Sequence, residues 1–345
     1  GLGHLFTIPE LSFYNIYDNY VRTWMPLQME ILLMHFISSA TRLVTSFYSC
    51  PRFCIGGEYI GRIICLARSP FDYMKPNRYD DVNKDILKLI RQEHQKKGTR
   101  YFGLGNLNKM KQLNDGGIQI ARMVKEDEYL KDKNIRVWTG DTLTVASVYH
   151  TIADMPECNS FYYVGAGGKV GTAVCEMLVK ARPNLKIRIF SRHQILKHPN
   201  ISYSTDLKEI ADYEVVLIGK ILSGKMYRKA LSDVPVDQVR TRVMYDYTVP
   251  VMPIEAVQKH PAGIKHVRVG VLKTTQQNNR FLKGYYDICM SHPQNHIVPC
   301  HFGCLLNTIN GRETNEVGDI NQKDVEKLWR MALARGFSNA ELDVC

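Results

Sequence analysis

The sequence lacks any uninterrupted apolar run of the roughly 18 residues that a membrane-spanning helix needs. The nearest approach, Pro26–Val44, is broken by Gln28, Glu30, His35 and Arg42. That pattern suits a buried or membrane-surface helix rather than a span. Cys-x-x-Cys pairs, zinc-finger spacings and aromatic RNA-binding signatures are also missing, which argues against a nucleic-acid partner. No internal repeat and no long low-complexity segment occurs, so repeat architectures are excluded. The chain does not begin with Met but with Gly1. The expectation is a fragment or a processed chain whose true N-terminal signals are missing.

What is present is ordinary globular composition: 345 residues, 45% hydrophobic and 23% charged. That length accommodates two domains, each with its own core. The formal charge is +11, an excess that favours anionic partners such as nucleic acid, a membrane surface, or phosphorylated cofactors and carriers. The basic residues are dispersed, however, and most read as solvated faces. The nine cysteines are odd in number and irregular in spacing. In a chain this large they read as reduced thiols in a cytosolic setting.

Residues 1–80 are rich in aromatic and sulfur-containing side chains, and Val21–Phe47 reads as a helix. The apolar run Ile60–Ala67 is a candidate strand. From residue 82 helix and strand alternate. Val82, Ile86, Leu89 and Ile90 share one helical face, and Gly98 is a plausible cap. Strands are expected at Arg100–Leu104, Ile135–Trp138, Phe161–Val164, Leu185–Phe190, Glu214–Ile218, Arg242–Tyr245 and near His266–Leu272. Helices are expected at Ile118–Lys125, Thr142–Ile152 and Thr172–Ala181, and two more, Val298–Ile309 and Asp324–Arg335, are expected to close the chain.

One unit stands out. The apolar strand Phe161–Val164 runs into Gly165-Ala166-Gly167-Gly168-Lys169-Val170-Gly171, and an amphipathic helix follows. Strand, glycine turn and helix N-terminus together cradle a pyrophosphate, through close backbone approach and unpaired N–H groups. The strict GxGxxG spacing fails, because its last position is Val170. The competing reading is an α/β turn that merely needs glycine. An NAD-selective site usually carries an acidic residue after the second strand. Here Ser191-Arg192-His193 stands there, so Arg192 is suited to pair with a 2′-phosphate and Ser191 to hydrogen-bond it. NADPH is the cofactor this pattern favours.

A second cluster holds Cys289, His292, His296, Cys300, His301 and Cys304. Three readings compete. Cys and His ligands can bind zinc, but the usual paired spacing is missing. Cys300, just after Pro299, would sit in the first turn of a helix, where the helix terminus and an imidazolium from His296 or His301 make a thiol nucleophilic. A thiolate there can take an acyl group from a thioester, which hydride from NADPH then reduces. The plain alternative is that Cys300 and Cys304 are small buried hydrophobes.

The motifs Trp138-Thr139-Gly140-Asp141-Thr142, Val164–Cys175 and Cys300–Gly311 resemble the cyanobacterial long-chain acyl-[acyl-carrier-protein] reductases. In that resemblance the second segment is the NADPH turn and Cys300 falls on the acylated cysteine. The whole chain is more similar to the C-terminal two-thirds of the plant Eceriferum–Glossy wax proteins. The carrying segments are His4–Glu10 with Ser12, Lys96–Gly98 leading to Leu104–Asn108 and Leu113-Asn114, and the Val325–Phe337 ending. Those proteins act in very-long-chain aldehyde and alkane formation at the endoplasmic reticulum. They also carry an N-terminal membrane domain with histidine boxes for two irons. This chain has no such set. Its one HxxxH, His292 to His296, stands alone and contains Pro293, so di-iron chemistry is not implied and no metal is expected. Asn310-Gly311-Arg312 replaces the usual Glu-Gly-Trp.

The expected fold is α/β. A mostly helical lead-in (1–80) precedes an acyl-binding part (81–155 with 285–345) and a doubly wound, Rossmann-like NADP(H) domain (156–284). The resemblance implies NADPH-dependent reduction of a long-chain acyl-CoA or acyl-carrier thioester to an aldehyde in wax and alkane metabolism. Cys300 would be the nucleophile, with His296 or His301 as proton donor or thiol activator. Gly165, Gly167, Gly168, Lys169, Val170 and Gly171 would hold the pyrophosphate, with Ser191 and Arg192 on the 2′-phosphate. Thr139, Gly140, Asp141 and Thr142 would shape the site. Asp246 is either a nicotinamide-side group or a structural carboxylate. The alternative is a non-catalytic NADP(H)- or acyl-binding region working with an aldehyde-processing partner enzyme. The resemblance places the chain at the cytosolic face of the endoplasmic reticulum; the sequence by itself fits the cytoplasm equally.

Overall fold

A computed structural model describes residues 47–55, 59–68, 72–73, 75–248, 254–274 and 295–344. The expected helix at Val21–Phe47 and the cluster members Cys289 and His292 lie outside the described residues, except that Phe47 opens a strand. Two units emerge. One takes in the described residues up to Thr139 together with 307–318, and the other takes in 140–274, 295–306 and 319–344.

The first unit opens with an antiparallel pair, β1 (Phe47–Ile55) and β2 (Tyr59–Leu66). A 19-residue helix, α1 (Tyr79–Lys97), follows and ends on Gly98 at φ 66°. Its buried face carries Val82, Ile86 and Ile90. These pack with Phe102, Leu113, Ile120 and Val137 from the rest of the unit. Two short parallel strands, β3 (Tyr101–Gly103) and β4 (Arg136–Trp138), flank α2 (Lys111–Asn114) and α3 (Ile118–Glu126). The returning segment 307–318 is tied to β4 by hydrogen bonds. Trp138 Nε1 donates to the Thr314 carbonyl at 2.9 Å, and the Val137 N–H donates to Asn315 Oδ1 at 2.9 Å.

The second unit is built on six parallel strands: β5 (Ser160–Val164), β6 (Lys186–Phe190), β7 (Ile201–Ser204), β8 (Val215–Ile218), β9 (Val243–Asp246) and β10 (Lys265–Thr274). Their spatial order is β7-β6-β5-β8-β9-β10. Counted from the first strand of the unit, that is 3-2-1-4-5-6, the order of a doubly wound dinucleotide-binding fold. The fold is Rossmann-like α/β. Alternate residues Tyr162, Val164, Val216, Ile218 and Met244 join one core with Tyr227 and Leu231 of α6 (Gly224–Ser232). Phe161, Tyr163 and Leu217, which point to the opposite face, are equally buried, as parallel strands covered on both sides must be. Helices α4 (Asp141–Ala153) and α5 (Lys169–Ala181) pack on one another.

Three expectations need correction. The chain does not close on two helices. After α9 (Gln322–Ala334) a strand, β12 (Phe337–Asp343), pairs antiparallel with β10. The unit boundary falls at Thr139/Gly140, not near residue 156, because α4 packs on α5, β10 and α9. The helix after the glycine turn begins at Lys169, three residues before the expected Thr172.

Candidate functional site

In a parallel open sheet, ligands bind beyond the carboxyl ends of the strands, where the strand order reverses. Here that point lies between β5 and β8. The turn after β5 is built by glycines with separable jobs. Gly165 has φ 99°, and a Cβ there would lie 2.6 Å from the backbone of Gly219 and Lys220, the turn after β8. Gly171 lies against the turn, its would-be Cβ 2.7 Å from Ala166 Cα. Gly167 and Gly168 are exposed, and a Cβ on Gly168 would meet nothing nearer than 3.9 Å. One glycine thus bends the chain, one lets the helix close on it, and two expose their backbone, although a Cβ on Gly167 would come 3.2 Å from Ile195 Cδ1. The helix-packing glycine simply falls at 171 instead of 170. That is why the strict spacing fails although strand, bend and helix are all in place. No side chain caps the N-terminus of α5, so the turn suits a phosphate anion.

At the end of β6, the Ser191 hydroxyl donates to the His193 carbonyl at 2.8 Å and accepts from its N–H at 3.1 Å. Ser191 is thereby engaged in a local turn, and Arg192 beside it is exposed. Beyond β9, Tyr247 donates or accepts at 2.6 Å with Tyr163 of β5, and burial pushes both phenols well up from their ordinary values. Gly219 makes room for that phenol, since a Cβ there would be 2.0 Å from the Tyr247 hydroxyl oxygen. Asp246 is buried. Its Oδ1 accepts from the Thr248 N–H at 2.8 Å and from the Thr248 hydroxyl at 2.7 Å, and its Oδ2 lies 3.2 Å from His266 Nε2. Of the two readings of Asp246, the geometry favours the structural carboxylate.

The cysteine helix reaches this same end of the sheet. Leu272 of β10 is bonded to Asn339 of β12 and to Ile297 of a short strand, β11 (His296–Ile297), which therefore lie on opposite edges of β10. Val267 and Arg268 are shared in the same way between β12 and β9. So β11 continues the line of β9 past its carboxyl end. The helix α8 (Pro299–Ile309) starts directly after it, with Cys300 half-buried in the first turn. Phe302 anchors the helix, packed against Phe337 with ring centroids 4.2 Å apart and planes tilted by 41°. His296 and His301 are both partly exposed. By contrast, Cys158 and Cys175 are buried thiols. Burial raises both, Cys175 to about 12, which makes them poor nucleophiles.

Gly140 links the two features. It has φ 65°, and a Cβ on it would fall 1.8 Å from the Cys300 carbonyl oxygen. Its neighbour Asp141 opens α4 and lies 3.0 Å from Lys169 Nζ, at the start of α5. Thr142 is buried in the same turn. Thr139 belongs to the other unit, where its N–H donates to the Glu316 carbonyl and its own carbonyl accepts from Lys109. The contacts of Gly140 and of Lys169 were not visible in linear spacing; only the Thr-Gly-Asp motif hinted at them.

The chain is 24% identical over 325 residues to "Very-long-chain aldehyde decarbonylase GL1-2" of Oryza sativa subsp. japonica, an alignment covering 91% of this chain and 46% of that protein. "Very-long-chain aldehyde decarbonylase GL1-1" of Oryza sativa subsp. indica is 24% identical over 322 residues, covering 90% of this chain and 46% of that protein. Over about nine-tenths of its length this chain is similar to part of these plant very-long-chain aldehyde decarbonylases. The expected likeness to the Eceriferum–Glossy proteins is borne out, and the chain spans a little under half the length of these relatives. No family model matches it. Among solved structures, an NAD-dependent formate dehydrogenase from Staphylococcus aureus in complex with NAD aligns with 34% of this chain and 44% of its own, at 15% identity and a TM-score of 0.23. The assignment of the fold rests instead on the strand order. No helix among the described residues is long and apolar enough to cross a membrane.

Proposed function

We propose that this chain reduces a long-chain acyl thioester, carried on CoA or a carrier protein, to an aldehyde at the expense of NADPH. The observation that carries the reading is the convergence of a half-buried cysteine in a helix's first turn with a glycine phosphate cradle, at one end of one doubly wound sheet. The turn fits a dinucleotide, since Gly167 and Gly168 expose their backbone and a Cβ on Gly168 would stand in open space.

The chemistry assigned to the residues is as follows. The Cys300 thiolate attacks the thioester carbonyl, a new C–S bond forms, and the carrier leaves as a thiolate that takes up a proton. Partial positive charge at the start of α8 favours the thiolate. His296 or His301 supplies the proton and steadies the developing charge. When bound, NADPH supplies hydride to the acyl carbon. The C–S bond then breaks, aldehyde departs and the Cys300 thiolate is restored. Arg192, exposed beyond β6, is suited to the 2′-phosphate of that cofactor. The likeness to the wax proteins supports work at the cytosolic face of the endoplasmic reticulum, passing aldehyde to a partner enzyme.

Incubation of the purified chain with a long-chain acyl-CoA and NADPH tests this. The expected results are an acyl adduct on Cys300, formation of aldehyde, and loss of both in Cys300→Ala. No adduct and no aldehyde, with NADPH still bound, would favour a non-catalytic cofactor-binding region that serves a partner.

A further inference from the structure

We infer that the Asp141–Lys169 ion pair is the positioning device through which a dinucleotide phosphate in the glycine turn is felt at Cys300. The inference rests on the reading of that turn as a nucleotide cradle. Its first support is charge. Lys169 is the first residue of α5, whose N-terminus would hold the phosphates, yet its ammonium lies 3.0 Å from Asp141, and the two side chains are 19% and 9% exposed. A bound phosphate competes with Asp141 for that ammonium. Its second support is the backbone. Asp141 follows Gly140, which adopts φ 65° at the start of α4 and lies so close to the Cys300 carbonyl that no side chain fits between them. A shift of the Asp141 turn cannot be absorbed there by a flexible side chain, so it is passed to the first turn of α8. Packed contacts of this kind respond as units.

Thermodynamic linkage makes the claim strict. If cofactor binding changes the state of Cys300, modification of Cys300 must change cofactor affinity by the same factor when both are read as equilibria. Charge makes it signed. Asp141→Asn takes the competing carboxylate away from the Lys169 ammonium, and Lys169→Met takes the ammonium away from beside the Asp141 carboxylate.

The test measures NADPH affinity by fluorescence titration and the alkylation of Cys300 by iodoacetamide, followed at that residue by peptide mass spectrometry across pH. In alkylation the thiolate displaces iodide and the thiol proton goes to solvent, so no turnover is needed. In the wild-type chain, NADPH is expected to change the Cys300 alkylation rate about fivefold or more, the lower range of typical couplings. Asp141→Asn is expected to tighten NADPH binding, Lys169→Met to weaken it, and both to flatten the NADPH effect on Cys300. Because Lys169→Met takes a cation from beside a buried carboxylate, the double variant Asp141→Asn/Lys169→Met is the control for folding. It should regain stability yet keep Cys300 blind to NADPH. Tight NADPH binding with an unchanged Cys300 rate in the wild-type chain would overturn the inference and leave the cofactor reading standing. An Asp141→Asn chain that keeps the full effect would do the same. Absence of NADPH binding would overturn both.

Discussion

The glycine turn after β5 and the cysteine turn of α8 lie at the same end of one sheet, but different forces put them there. The glycine turn is local. Strand, bend and helix follow one another without interruption from Ser160 to Ala181, and backbone freedom at Gly165 decides its shape. The cysteine turn is placed from afar, by two residues of β11 on the extended edge of β10, by Phe302 on Phe337 and by the close approach of Gly140. A local device survives change elsewhere in the chain. A placed one depends on every contact that places it. The phosphate cradle is therefore expected to be the more robust of the two, and the position of Cys300 the more fragile.

The sharpest way to break this contrast is Gly140→Ala. The left-handed φ and a Cβ 1.8 Å from the Cys300 carbonyl oxygen leave no local relief. A stability loss of about 3 kcal/mol or more is expected, read by denaturant unfolding, with Cys300 alkylation altered. A fully stable Gly140→Ala chain with unchanged thiol reactivity would show that the cysteine turn does not depend on this approach. The next effect is a paired one in the other region. Gly165→Ala, with φ 99° and a Cβ 2.6 Å from backbone, should be destabilised by a similar amount. Gly168→Ala meets nothing nearer than 3.9 Å, so its stability should stay within about 0.5 kcal/mol of the parent. Its NADPH affinity should still fall about tenfold, equivalent to roughly 1.4 kcal/mol, because a methyl group then stands on the backbone that receives phosphate. Unchanged affinity in Gly168→Ala would remove that glycine from the cradle.

The same division between local and placed structure explains what could be read from the sequence. The central strands announced themselves as apolar runs because both of their faces are buried. The strand Ile201–Ser204 and the strand Phe337–Asp343 did not, since each sits at an outer edge of the sheet and is only partly buried, with no regular apolar pattern. The glycine turn was legible even with its fingerprint out of register, because its roles are fixed by neighbours in sequence. Cys300 was legible only as a residue type beside Pro299. What gives it a setting is the register of β11 and the contact with Gly140, and neither leaves a periodic trace. The Asp141–Lys169 pair and the Tyr163–Tyr247 pair, 84 residues apart in the latter case, are products of the tertiary fold and no spacing rule reaches them.

The smallest expected effect concerns the one proposed cofactor contact that depends on neither buried glycine nor long-range placement. Arg192 is exposed just past β6, on a turn held by Ser191 and the His193 backbone. Substituting Arg192→Ala removes no buried surface and breaks no hydrogen bond described here, so stability should be unchanged within about 0.5 kcal/mol. If the guanidinium pairs with a 2′-phosphate, NADPH affinity should fall about tenfold while NADH affinity stays constant, since a bond to a charged group contributes roughly 1.5 kcal/mol. The ratio of the two dissociation constants is the quantity to measure, because fold damage would weaken both together. Equal loss for both nucleotides would mean that Arg192 acts on the turn and not on the phosphate. A ratio already near one in the parent chain would point to the cradle alone, without β6, as the source of nucleotide binding. It would then be the local device that sets affinity, and the placed cysteine that sets what is done with it.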